Sequence, residues 1–408
     1  MTSEGQNNSK LLHDFHLTDD DLSNDAKDRF PFHAEIINSL NFFGHSILMN
    51  KNLTRAGRHI LCSKIIRRHE NIKSVLNYLA STPRQSKQKI TEVPMIVICG
   101  LCRTGSTLLQ NLMACDPACR APLLTDMIVQ PIPPILRSNI TEHKRRINDE
   151  AHFEKQVFEI AGYDMEQYVK NRSSSHAEFE YEEDTVLHEE VGLQGSLSQL
   201  APKHMNLVVW HADSKNKDYA YEYHRTVLQM LHDVDPPHTH WQIKSPSHLL
   251  WMDTLLKYYP QASIIMSHRR LDEVIPSACS LFRLLNSIYF DENDSNSWKF
   301  LGEQSMTLLD IWIHRIVEFR SRQPQPTNIF DIRYKDLMKD PIGTVRQIYD
   351  HFSFLQWSDQ FEKAMRTWLV NNYQGKQGRH SYSLDQFGLS KSNTKEICKQ
   401  YENMFLAD

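Results

Sequence analysis

The stretch VPMIVICG, residues 93–100, followed at once by LCRTGSTLLQNL, constrains the fold more than any other part of the chain. Its apolar, β-branched run is short and bounded by glycine, which predicts a strand buried on both faces. STLLQNLMACDP then has the spacing of a helix, ended near Asp116-Pro117. Strand, glycine turn and helix in that order form one βα unit. The order recurs further on: HWQIKSP, ASIIMSH and TNIFDIRY read as strands. SHLLWMDTLLKYYP, DEVIPSACSLFRLLN and IGTVRQIYDHF read as the helices that follow them. Alternation of this kind predicts an α/β fold, a doubly wound parallel sheet with helices on both faces.

The rest of the chain is arranged around that sheet. Residues 1–28 are polar and acidic and are expected to be disordered or loosely attached. Residues 29–90 carry apolar residues three and four apart, which predicts a helical N-terminal segment packed on the main domain. The main domain is expected over 91–408, with a helical insertion near 120–240.

With 408 residues and a net charge of −4, the chain offers no basic excess for nucleic acid. It shows neither a secretory leader nor an apolar run of the roughly 18 residues a membrane span needs. A cytoplasmic protein is therefore expected. Seven cysteines lack zinc-like paired spacing, and the Cys99–Cys102 pair reads as reduced thiols. His188-Glu189 begins an HExxH pattern, but Gly192 stands where the second histidine is required. No metal site is expected.

The glycine loop is where chemistry is expected. A tight turn after a strand exposes consecutive backbone N–H groups, and the next helix adds its positive end, so the loop suits a phosphate or a similar anion. Gly105 allows close approach, Arg103 adds fixed charge, and Thr104, Ser106 and Thr107 add hydroxyls. An ATP-binding loop of this spacing carries lysine at the position of Ser106, and no strand ends in an evident Mg²⁺ carboxylate. Asp331, inside IFDIRY, comes nearest.

Arg103-Thr104-Gly105-Ser106-Thr107 resembles the 5′-phosphosulfate loop of sulfotransferases that use 3′-phosphoadenosine 5′-phosphosulfate (PAPS), in the prokaryote-like branch. In that family an arginine at a strand end and a serine eight residues on hold the 3′-phosphate, and Arg269 and Ser277 match that spacing. Arg270 departs from the pattern, since many relatives carry an acid there. Later segments also resemble the family, and the resemblance runs over about residues 94–405. It implies a P-loop-type fold, PAPS as sulfuryl donor, Tyr334 near the adenine and Arg379 as a further phosphate ligand. Arg103 and Lys244 would then face the sulfuryl group.

The residue that takes the acceptor's proton stays open between His248, four residues after Lys244, and Asp126, shortly after the first helix. The acidic run EFEYEEDTVLHEE reads as a solvated face, or as a greeting for a cationic acceptor. Trp210, Tyr219, Tyr221 and Tyr223 are candidates for an apolar acceptor pocket or simply for the core. The expected partner is a small-molecule or carbohydrate acceptor with a hydroxyl or amine. A nucleotide kinase or NTPase, or a non-catalytic nucleotide-binding scaffold, are the alternative functions.

Overall fold

The computed structural model describes residues 15–83, 88–166, 168–170, 180–291, 293–324, 327–372, 387 and 395–407. Its centre is a five-stranded, wholly parallel sheet. The strands are β1 (Met95–Gly100), β2 (Cys119–Arg120), β3 (His240–Lys244), β4 (Ala262–His268) and β5 (Ile329–Arg333), in spatial order β2-β3-β1-β4-β5. β1, β3 and β4 are buried at every residue, as central parallel strands must be when helices cover both faces.

Alternation along the strands feeds two cores. Met95, Val97, Cys99, Ile264 and Met266 face the larger one; Ile96, Ile98 and Ile265 face the smaller. Helix α4 (Ser106–Met113) and three late helices, α11 (Tyr334–Lys339), α12 (Pro341–His351) and α13 (Asp359–Asn371), close the smaller core. The larger is closed by three N-terminal helices, α1 (Asn24–Arg29), α2 (His33–Leu48) and α3 (Arg55–Ser81). Helices α5 (Ile140–Ala161), α6 (Thr185–Glu190), α7 (Asp218–Val234), α8 (Met252–Tyr258), α9 (Leu271–Asn286), α10 (Ser295–Arg320) and α14 (Lys395–Phe405) complete it.

Strand order decides where a ligand can sit. After β3 the chain crosses over β1 to form β4, so β1 lies between two strands that leave it on opposite sides. Such a switch point opens a crevice at the carboxyl ends of the strands. The register puts Ile98 beside Lys244 and Gly100 beside Ser267, so the ends of β1, β3 and β4 lie together. β2 is only two residues long, too short to show a pattern in the sequence.

One expectation needs correcting over its described part, since residues 1–14 lie outside the described residues. Residues 15–28 are packed, not loose: Phe15, Leu17, Leu22 and Ala26 are buried, and the Asn41 side chain bonds both the N–H and the carbonyl of Leu17 (2.8 and 3.0 Å). Their few apolar side chains were outweighed in the sequence by polar neighbours, yet each fills the larger core. Of the two readings of the insertion's aromatic residues, core holds for Tyr219, Tyr221 and Tyr223, 7%, 0% and 0% exposed, while Trp210 packs on Phe42 and Lys217. No described helix is long and apolar enough to cross a membrane.

Candidate active site

The loop after β1 is held by glycine geometry. Gly100 has φ +143°, and a Cβ there would lie 2.6 Å from the Ser267 carbonyl oxygen. Gly105 has φ +86° and caps α4, and its Cβ would meet the Tyr334 ring at 3.0 Å. Arg103 itself adopts φ 69°, a left-handed conformation that a non-glycine residue takes at a cost.

Side chains then divide into those that build the loop and those that face the crevice. Thr104 is fully buried; its hydroxyl donates to Leu101 O and pairs with Ser267 Oγ, both at 2.6 Å. Thr104 therefore braces the loop with its side chain and offers only its backbone to a ligand. Ser106 starts α4 and is nearly buried. Thr107 Oγ1 accepts from Lys244 Nζ at 3.3 Å.

On one side of the loop the two distant motifs converge. Arg103 Nε donates to Ser277 Oγ at 3.0 Å, and Arg269 Nη1 donates to the Arg103 carbonyl at 3.0 Å. The Arg269 guanidinium lies 4.1 Å from the centre of the Tyr334 ring, and its Nε is held by Glu273. Arg103, Gly105, Arg269, Ser277 and Tyr334 thus form one cluster, drawn from β1–α4, β4–α9 and β5–α11. Arg270 points away, paired with exposed Asp272. Arg379 lies outside the described residues.

On the other side stands Lys244, 2% exposed at the end of β3, bonded to the Glu183 carboxylate. Burial pulls the ammonium down to about 7, against the opposing pull of Glu182. Glu183 belongs to the acidic run read as a solvated face; its carboxylate turns instead toward the loop. Nothing in the spacing announced this, since Glu183 and Lys244 are 61 residues apart.

His248 and Asp126 both bond to buried partners. His248 is fully buried, its Nε2 paired with Asp184 (2.8 Å) and its Nδ1 with Tyr221 OH (3.0 Å). Asp126 is 2% exposed, and one carboxylate oxygen accepts from Arg120 Nη2 and Leu123 N, both at 2.8 Å. It pins the turn after β2. The partners of His248 lie 27 and 64 residues away, out of reach of local spacing, whereas those of Asp126 lie 3 and 6 residues away. Asp331 is likewise claimed, by Arg320 (2.6 and 2.8 Å) and His268 (2.9 Å), so it is not a free strand-end carboxylate for Mg²⁺. Asp184, His188 and His248 do set possible metal-ligand atoms within 4.8 Å of one another, all buried.

Arg103 and Arg269 on one side and Lys244 on the other thus bring three cations to the loop at the start of α4, a setting suited to an anion. Comparison with known proteins identifies the frame. Residues 94–359 match the model of a sulfotransferase family. The chain belongs to that family. This sulfotransferase is 24% identical over 160 residues to the omega-hydroxy-beta-dihydromenaquinone-9 sulfotransferases Stf3 of Mycobacterium bovis and Mycobacterium tuberculosis. That match spans 39% of this chain and 40% of the relative's length. Its fold is shared with sulfotransferase STF9 from Mycobacterium avium, at TM-score 0.72 and 21% identity over 100% of this chain and 97% of that one. STF1 from Mycobacterium tuberculosis aligns at TM-score 0.60 and 22% identity, over 100% and 98%.

Proposed function

We propose that this sulfotransferase moves a sulfuryl group from PAPS to a hydroxyl of a small acceptor, leaving adenosine 3′,5′-bisphosphate. The observation that carries the reading is the position of Lys244, which bonds both Thr107 of the loop and the Glu183 carboxylate. One cation thus links the loop where a phosphosulfate would lie to a carboxylate that can receive a proton.

The residues fit the donor. The glycines let the loop close against Ser267 and Tyr334, Arg103 and Lys244 add charge beside it, and Tyr334 offers a ring beside Arg269. In the transfer the bond between sulfur and the bridging phosphate oxygen breaks, and a bond from the acceptor oxygen to sulfur forms. The acceptor proton passes to Glu183, which replaces His248 and Asp126 as the base. The leaving phosphate oxygen gains charge, and Arg103 with the loop N–H groups is placed to stabilise it. Arg269 and Ser277 hold the 3′-phosphate.

The relative's name directs the choice of acceptor, a hydroxyl at the end of an apolar chain. Purified protein is incubated with labelled PAPS and a panel of hydroxylated prenyl chains, phenols, sterols and sugars. In parallel, thermal stabilisation is measured with adenosine 3′,5′-bisphosphate and with Mg-ATP. The expected result is stabilisation by the bisphosphate and label on an alcohol. Stabilisation by Mg-ATP alone would sink the reading in favour of a kinase.

A further inference from the structure

Residues 183–185 and 244–248 are tied to each other three times. Lys244 bonds Glu183, Ser247 Oγ and Thr185 Oγ1 lie 3.1 Å apart, and His248 Nε2 meets Asp184 Oδ2 at 2.8 Å. Asp184 Oδ2 also meets His224 Nε2 at 2.9 Å. The far nitrogens of both rings are occupied by tyrosines: His248 Nδ1 by Tyr221 OH at 3.0 Å, and His224 Nδ1 by Tyr259 OH at 2.7 Å. All five side chains have no exposed surface.

With both rings neutral, one tautomer assignment satisfies these bonds. Ionised Asp184 accepts from both imidazoles, each protonated at Nε2, and each bare Nδ1 accepts from a tyrosine hydroxyl. The opposite tautomers would aim two lone pairs at a carboxylate. Burial alone would raise the Asp184 carboxyl, but the two histidines hold it well below its ordinary range. Burial keeps His224 neutral and both tyrosines protonated.

We propose that this Asp184–His248–His224 network is a positioning device for sulfuryl transfer, fixing Glu183 in place against Lys244. The proposal rests on the reading of Glu183 as the base. Its physical reason is that Asp184 precedes nothing but the turn into α6 and follows Glu183 directly, so anchoring the one anchors the other. A buried carboxylate with two donors cannot shift without leaving a charge unpaired. A displacement of about 1 Å at a reacting group is enough to cost about 100-fold in rate. Asp184, His188 and His248 are also close enough for a metal; His248 Nε2 cannot both bind an ion and donate to Asp184, so a metal there and this hydrogen bond exclude each other.

The test compares turnover per folded enzyme. His248→Ala should lower kcat about 100-fold with the KM for PAPS changed less than about twofold. His248→Gln, which keeps a donor near the Nε2 position, should recover about tenfold of that loss. Tyr221→Phe removes only the outer hydroxyl, so it remains informative should the alanine variant not fold; a loss of kcat of about 3-fold or more is expected. Wild-type kcat in folded His248→Ala, or in Tyr221→Phe, with only the melting temperature lowered, overturns the proposal. Stoichiometric zinc in the purified protein overturns it too. Glu183→Gln separates the two layers: near-wild-type turnover there refutes the base itself. A dead Glu183→Gln beside fully active His248 and Tyr221 variants refutes only the network.

Discussion

At the scale of single residues, Arg103, Arg269 and Lys244 are each held in place by neighbours around the β1 loop. Arg269 is braced by the Arg103 carbonyl, Glu273 and the Tyr334 ring, so its guanidinium is already ordered before a ligand arrives. Arg269→Ala should therefore weaken binding of adenosine 3′,5′-bisphosphate by about 10- to 100-fold. Adenosine 5′-phosphate, which lacks the 3′-phosphate, should lose far less. Calorimetry with both nucleotides decides it, and equal losses would place Arg269 elsewhere. Lys244 makes a pH prediction. Burial holds it at about 7, so as pH rises through that value the ammonium loses its proton and the site loses a positive charge. Affinity for the bisphosphate should fall by up to about tenfold per unit between pH 7 and 9, and Lys244→Met should flatten the profile. A wild-type profile without slope in that range would show that Lys244 does not meet the anion.

At the scale of elements, the β1 loop depends on close backbone approach. Gly100 lies against Ser267 of β4, with φ in a region that side chains avoid. Gly100→Ala should cost about 2 to 4 kcal/mol of stability, from strain plus overpacking. Urea unfolding measures this, and a loss below about 0.5 kcal/mol would mean that the loop can back away from β4 freely. Element boundaries show where local pattern reaches its end. The segment SHLLWMDTLLKYYP has continuous helical spacing, yet it breaks at Trp251 into a 3₁₀ turn, Pro246–Leu250, and α8. Trp251 is fully buried, and the break lets the turn carry His248 inward toward Asp184. No residue in the stretch marks that break, because it is made by packing rather than by propensity.

At the scale of the whole molecule, the N-terminal helices are part of the core rather than a cover. Phe43 of α2 is fully buried, Ser39 donates to the Val191 carbonyl, and the Gly57 backbone of α3 lies against that of Tyr289. Phe43→Ala should destabilise the entire chain by about 3 to 5 kcal/mol. The expected urea transition remains single and shifts as a unit. A first transition at low urea that leaves the sheet folded would show instead that the N-terminal layer melts independently.

The sequence alone determined the parallel sheet, its four longer strands, and the glycine loop, and it singled out Arg269 and Ser277, which the fold brings beside that loop. These were legible because each depends on a short run of residues: an apolar period, a glycine turn, a spacing of eight. Only the tertiary structure decided which groups flank the loop. It placed Glu183 at Lys244, withdrew His248 and Asp126 into buried pairs, and turned the tyrosines of the insertion into core. Those outcomes follow from strand order and from burial, which join residues far apart in the chain. An unpaired buried charge is costly, so Lys244, Asp184 and Asp126 take the partners that folding brings to them. The chemistry of the site is thus written in local motifs, while the roles of its acids and bases are assigned by packing.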